Sequence, residues 1–139
     1  MNLHGFVECS IVTDGLRRDF VFRELGSDEN FGRGESGLRQ KASLIWEIVC
    51  RIRCAELRGH TLGLQDLYLD IGITRPTLTR SLDLLERCDA VIRRRDHRDS
   101  RRILIILCSG FRKRFDDCAA TMISTLNARH HEQFSRAGP

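Results

Sequence analysis

Residues 64–107 read LQDLYLDIGITRPTLTRSLDLLERCDAVIRRRDHRDSRRILIIL, and the change of period inside this stretch decides the fold. Leu64, Leu67 and Ile71 fall on one face of a short helix, which Gly72 breaks. Ile73 gives the following turn an apolar plug, and Thr74 is a natural N-cap for the next helix. Pro76 lies in the first turn of that helix, where its missing N–H costs nothing. Leu78, Leu82 and Leu85 then form a buried stripe. At about 100° per residue Arg80 lies nearly opposite them, and Pro76, Thr77, Asp83 and Arg87 share the exposed side. After Glu86 the period shortens: 91–95 reads as a strand, 96–100 as a polar tip, and 102–107 as a returning strand rich in β-branched residues.

Upstream, Leu38, Ala42, Ile45, Val49 and Ile52 recur at alternating spacings of four and three, which places them on one face of a helix ending near Gly59. Before it, GSDENFGRGESG at 26–37 has no sustained period and reads as a loop or hinge. Leu16, Phe20, Val21 and Leu25 fit a short helix, while 9–12 fits a strand or the end of another helix equally well. Downstream, Ser109 caps a final helix carrying Phe111, Phe115, Cys118, Met122 and Leu126, which fades into the polar tail HHEQFSRAGP. The fold class is therefore mainly α with a small β-hairpin, a winged helix-turn-helix. The expected organisation is an N-terminal segment and hinge at 1–37, a winged helix-turn-helix at 38–108, and a C-terminal helix and tail at 109–139. The final helix is longer than a small three-helix core requires, so the terminal segments are expected to form a homodimer contact.

A chain of 139 residues is long enough for one core, and 41% hydrophobic with 30% charged residues argues against wholesale disorder. Its longest apolar stretch, 103–108, is far short of the ~20 residues of a membrane-spanning helix. Residues 1–10 lack the pattern of a secretory signal, and a cytoplasmic location follows as the expectation. The net charge is only +4, yet residues 93–102 hold six arginines against two aspartates. Such a focus favours a polyanionic partner. The major groove of DNA is about 12 Å wide and admits one helix, so a reader of base edges needs one apolar, anchored face and one polar face. Residues 74–87 have both. A basic hairpin beside that helix reaches the phosphate backbone or the minor groove.

The order and spacing of Leu78-Thr79-Arg80, Leu82-Asp83 and Leu85-Glu86, with Asp99-Ser100-Arg101 in the wing, resemble the DNA-binding lobe of the MarR family of transcriptional regulators, from about residue 61 to 107. The resemblance implies that Arg80 and its neighbours Thr74, Arg75, Thr77 and Thr79 face the major groove of double-stranded DNA. It also implies that Arg101 approaches the minor groove from the wing tip and that Asp99 orients the wing. Arg95 and Arg98 are phosphate candidates on charge and position alone. The chain departs from the family pattern at Asp89, where glycine is usual, and at Tyr68, where a small residue is common. Tyr68 either loosens the helix approach or points outward to phosphate. Leu107-Cys108 replaces a leucine-threonine pair, and the N-terminal part shows no clear long helix of the kind that completes the family's dimer and ligand cleft.

No nucleophile-base set, metal signature or phosphate-binding glycine loop stands out, so neither an enzyme nor a cofactor is expected. A small-molecule effector stays unidentified. The six cysteines are scattered from Cys9 to Cys118 and read as reduced, buried small hydrophobes. Cys50 and Cys54 with His60, or the His130-His131 pair, make poor metal ligand sets. Two alternatives remain: a winged-helix module that docks a protein, and a thiol-responsive regulator that uses Cys9.

Overall fold

Among residues 10–28, 31 and 38–136, which the computed structural model describes, the chain forms five helices and three short strands. In order they are α1 (Ser10–Leu25), α2 (Leu38–Leu57), β1 (Leu62–Gly63), α3 (Leu64–Ile71), α4 (Arg75–Arg87), β2 (Val91–Arg95), β3 (Ile103–Leu107) and α5 (Ser109–Arg136). The strands pair antiparallel in the order β1-β3-β2, with Val91 opposite Leu107, Arg95 opposite Ile103, and Leu62 opposite Ile105.

Aromatic packing ties the two chain-terminal helices to α2. Phe20 of α1 meets Trp46 of α2 edge-on with ring centroids 5.8 Å apart, and Trp46 lies 4.9 Å from Phe115 of α5. Edge-to-face contact is the favoured geometry for such rings, and burying each one contributes about 1.5–3 kcal/mol. The core continues through Ile48 and Ile52 of α2 to Leu67 of α3, Leu78, Leu82 and Leu85 of α4, and Ile105 of β3, all essentially inaccessible to solvent. The stripe that seats α4 is thus the one its leucine spacing predicts.

Helix ends follow the same local logic. α2 closes at Gly59, with φ +80°, where the Gly59 N–H donates to the Glu56 carbonyl and the His60 N–H to the Ala55 carbonyl. This double bond is a Schellman closure. α4 ends in an identical pair, Asp89 N–H to the Glu86 carbonyl and Ala90 N–H to the Leu85 carbonyl, with Asp89 at φ +57°. Aspartate stands there in the left-handed region that glycine occupies at lower cost.

The expected hairpin is present, and the structure amends the sequence reading at three points. The hairpin is the larger part of a three-stranded sheet, because β1 adds to the free edge of β3. A strand of two residues, one of them glycine, carries no period to read. The returning strand starts at Ile103 rather than at Arg102, whose side chain crosses back to α3. A Cβ on Gly63 would come within 2.9 Å of that arginine's Nε. Third, the N-terminal part does hold an extended helix: α1 runs for 16 residues, and its first turn takes in positions 10–12. Its apolar residues spread around the axis because it packs against both α2 and α5, so no single stripe marks its length. Cys9 lies outside the described residues. No described helix is long and apolar enough to cross a membrane.

Candidate nucleic-acid interface

The face of α4 opposite its leucines is polar and open. Thr74, the N-cap, accepts the Thr77 N–H at 3.4 Å, and the two hydroxyls lie 2.8 Å apart. Arg75, Thr79 and Arg80 are exposed, whereas Thr77 is half-buried. Arg80 donates from Nε to the Pro76 carbonyl at 3.3 Å and is in no ion pair among the described residues. Arg75 donates from Nη2 to Gln65 Oε1 at 3.2 Å, and its guanidinium lies 4.5 Å from the Tyr68 ring centroid. Tyr68 is half-buried and carries the Arg75 cation on its ring, a use that neither expectation for it included.

Two carboxylates fold the wing tip. Asp96 Oδ1 accepts the Arg98 N–H at 2.9 Å, and Asp99 Oδ1 accepts the Arg101 N–H at 3.1 Å. The Asp99 carbonyl takes the Arg102 N–H at 2.9 Å, and Arg95 Nη1 donates to the Ser100 carbonyl at 3.0 Å. Local carboxylate-to-backbone bonds of this kind set a turn without help from the core. Arg101 is left with its side chain 93% exposed, touching Asp99 only at 3.5 Å. Arg98 is exposed and in no ion pair among the described residues.

The six arginines of 93–102 separate into two sets. Arg93 donates to both Asp83 and Glu86 of α4, which clamps β2 to the helix. That hydrogen bond holds the Glu86 carboxyl below its ordinary range and raises the Arg93 guanidinium. Arg102 reaches the Thr61 carbonyl and Asp66 Oδ2, 3.4 and 3.3 Å away. Arg94, Arg95, Arg98 and Arg101 point outward. Arg94, on the strand face opposite Arg93, is an exposed cation that reading by charge and position passed over; alternation along β2 was the signal for it.

A cleft of about 470 Å³ separates the flank of α4 from α2, with Leu44 and Leu84 on its walls and Lys41, Arg80 and Arg87 on its rim. Arg87 is itself tied to Asp28 at 3.0 Å, which joins the last turn of α4 to the segment after α1. Five cysteines are described and all are free. Burial pushes the Cys50 thiol up to about 12 and also raises Cys54, Cys88 and Cys118, the reverse of an activated thiol.

No protein-family model matches the sequence, and no curated protein matches it. Solved structures do. A MepR variant from S. aureus matches with a TM-score of 0.54 and 17% identity over 99% of this chain and 85% of that one. NadR in complex with 4-hydroxyphenylacetate matches with a TM-score of 0.53 and 20% identity over 96% and 82% of the two chains. A MarR variant from E. coli complexed with operator DNA matches with a TM-score of 0.50 and 16% identity over 100% and 99%. At such identities the likeness is one of architecture: the chain has the winged helix-turn-helix fold of the MarR-family regulators.

Proposed function

We propose that the chain is a sequence-specific regulator of transcription that binds double-stranded DNA, of the MarR type and without enzymatic activity, acting as a cytoplasmic homodimer. α4 enters the major groove with Thr74, Arg75, Thr77, Thr79 and Arg80. The wing lies against the minor groove or backbone, with Arg101 at its tip, Asp99 as its organiser, and Arg95 and Arg98 toward phosphates. The observation that carries this reading is the division of the arginines. Arg93 and Arg102 brace the wing against acids of α3 and α4, while Arg98 and Arg101 project from it with no such brace. A two-fold dimer would set its recognition helices about 34–36 Å apart and select a pseudo-palindromic site.

Selection of bound fragments from a random duplex pool tests specificity and symmetry together. Enrichment of a pseudo-palindrome is expected, with affinity falling by orders of magnitude between ~50 and 200 mM salt. A salt-insensitive protein that enriches no duplex would favour the protein-docking alternative. Arg80→Ala is expected to erode base discrimination, and binding that keeps its full sequence preference would remove Arg80 from the reading face. The thiol-responsive alternative rests on Cys9, and burial discourages ionisation of four of the five described thiols.

The cleft favours an effector as well. A small aromatic carboxylate would pack on Leu44 and Leu84 and pair with Lys41 and Arg80, the Asp83 carboxylate in the same lining being engaged by Arg93. Release of bound duplex by 4-hydroxyphenylacetate, with the response lost in Lys41→Ala, is the expected outcome; release unaffected by that change would move the site elsewhere.

A further inference from the structure

Arg75 is the first residue of α4, so its guanidinium stands at the helix N-terminus, the end that approaches base edges when such a helix lies in the major groove. Its surroundings are unlike those of the other outward arginines. Tyr68 packs one part of its ring on the core and presents the guanidinium with a face 4.5 Å away. Gln65 accepts one N–H at 3.2 Å, leaving the remaining N–H groups of the fork unclaimed. Neither partner is an acid, so the positive charge is oriented without being neutralised. Arg80 has only a bond back to its own helix, and Arg101 a single 3.5 Å contact with Asp99. Ordering a free, rotamer-rich side chain on binding costs about two- to tenfold in affinity, and an arginine already oriented avoids part of that loss.

We propose that Arg75 reads a guanine and that Tyr68 is its positioning residue: the stacked, singly hydrogen-bonded guanidinium presents its free edge to O6 and N7 of one guanine in each half-site. The inference rests on the DNA-binding reading above and adds to it a base identity and the residue that sets it. Arginine is the side chain whose paired N–H groups match those two acceptors, and stacking on an aromatic face leaves that edge open.

The test uses the full chain and the duplexes enriched by pool selection, with each position of the half-site substituted in turn and one guanine at a time replaced by 7-deazaguanine. The parent is expected to prefer guanine at one position by about ten- to a hundredfold and to lose that preference when N7 is removed. Arg75→Ala should abolish the preference there and leave the other positions intact. Tyr68→Phe, which keeps the ring, should match the parent. Tyr68→Leu and Gln65→Ala should each cut the preference by about two- to fivefold while affinity for random duplex is unchanged. A purely structural role for Tyr68 would instead lower binding to every sequence alike. Gln65→Ala keeps the test open should Tyr68→Leu fold poorly, because Gln65 is exposed. Undiminished preference in Arg75→Ala, or an equal loss across all sequences, overturns the guanine assignment. Parental discrimination in both Tyr68→Leu and Gln65→Ala overturns the positioning role. A parent that enriches no duplex at all defeats the DNA-binding reading itself, which is a different result from either.

Discussion

At the seam between α2 and α5, Arg53 faces Asp116 through two parallel bonds of 2.9 Å, and Arg112 meets Glu56 through bonds of 3.1 and 3.0 Å. In the wing, Arg98 and Arg101 extend with no comparable acid. The Arg53 side chain is 15% exposed and that of Arg101 93%, so one residue type occupies opposite environments in a single small fold. The difference shows that arginine content alone says little. A guanidinium held by a fixed carboxylate of another helix contributes to folding, and one with at most a loose contact to an acid keeps its charge open to solvent.

The largest effect expected on stability follows from the first half of that contrast. Arg53→Ala strands Asp116 in a partly desolvated position, while Glu56 keeps Arg112, and should cost about 1–3 kcal/mol in chemical denaturation, with duplex affinity of the folded protein unaltered. A cost below about 0.5 kcal/mol, the size of an ordinary surface change, would put Arg53 in the same class as the wing arginines. Asp89 offers the next test, since it closes α4 just before the wing strand. Asp89→Gly relieves a left-handed aspartate and should raise stability by up to about 1 kcal/mol; a loss would mean that the carboxylate contributes there.

Arg93 stands between the two classes. Its hydrogen bond depresses the Glu86 carboxyl, so the stabilisation linked to Glu86 is present above the pKa that this carboxyl has in the unfolded chain. It is lost as pH falls through the lower folded value. Glu86→Gln should therefore flatten the acid limb of the stability profile by a small amount, because the pair is partly solvated and screened. An unchanged limb would show that the clamp does not link wing to helix in solution.

How much of this was legible depends on how local each cause is. α4 was readable because Thr74, Pro76 and the leucine stripe all act within a few turns. Local hydrogen bonds form the bend at Asp89 and the wing tip at Asp99, and both were indicated by the resemblance to MarR regulators. The inward turn of Arg93 and Arg102 was not, since their partners lie 7, 10 and 36 residues away and a charge count treats all six arginines alike. The stacking of Arg75 on Tyr68 bridges two helices and leaves no periodic mark, and the length of α1 was hidden by contacts on two sides.

The salt dependence of duplex binding tests the central claim most directly, with the parent, Arg98→Ala and Arg53→Ala compared on one selected duplex and on random DNA. If the wing's unbraced arginines neutralise phosphate, Arg98→Ala should weaken both duplexes alike and reduce the slope of log affinity against log salt by about 1, while Arg53→Ala leaves the slope at its parental value. Equal slopes in parent and Arg98→Ala, or a drop in Arg53→Ala instead, would contradict it.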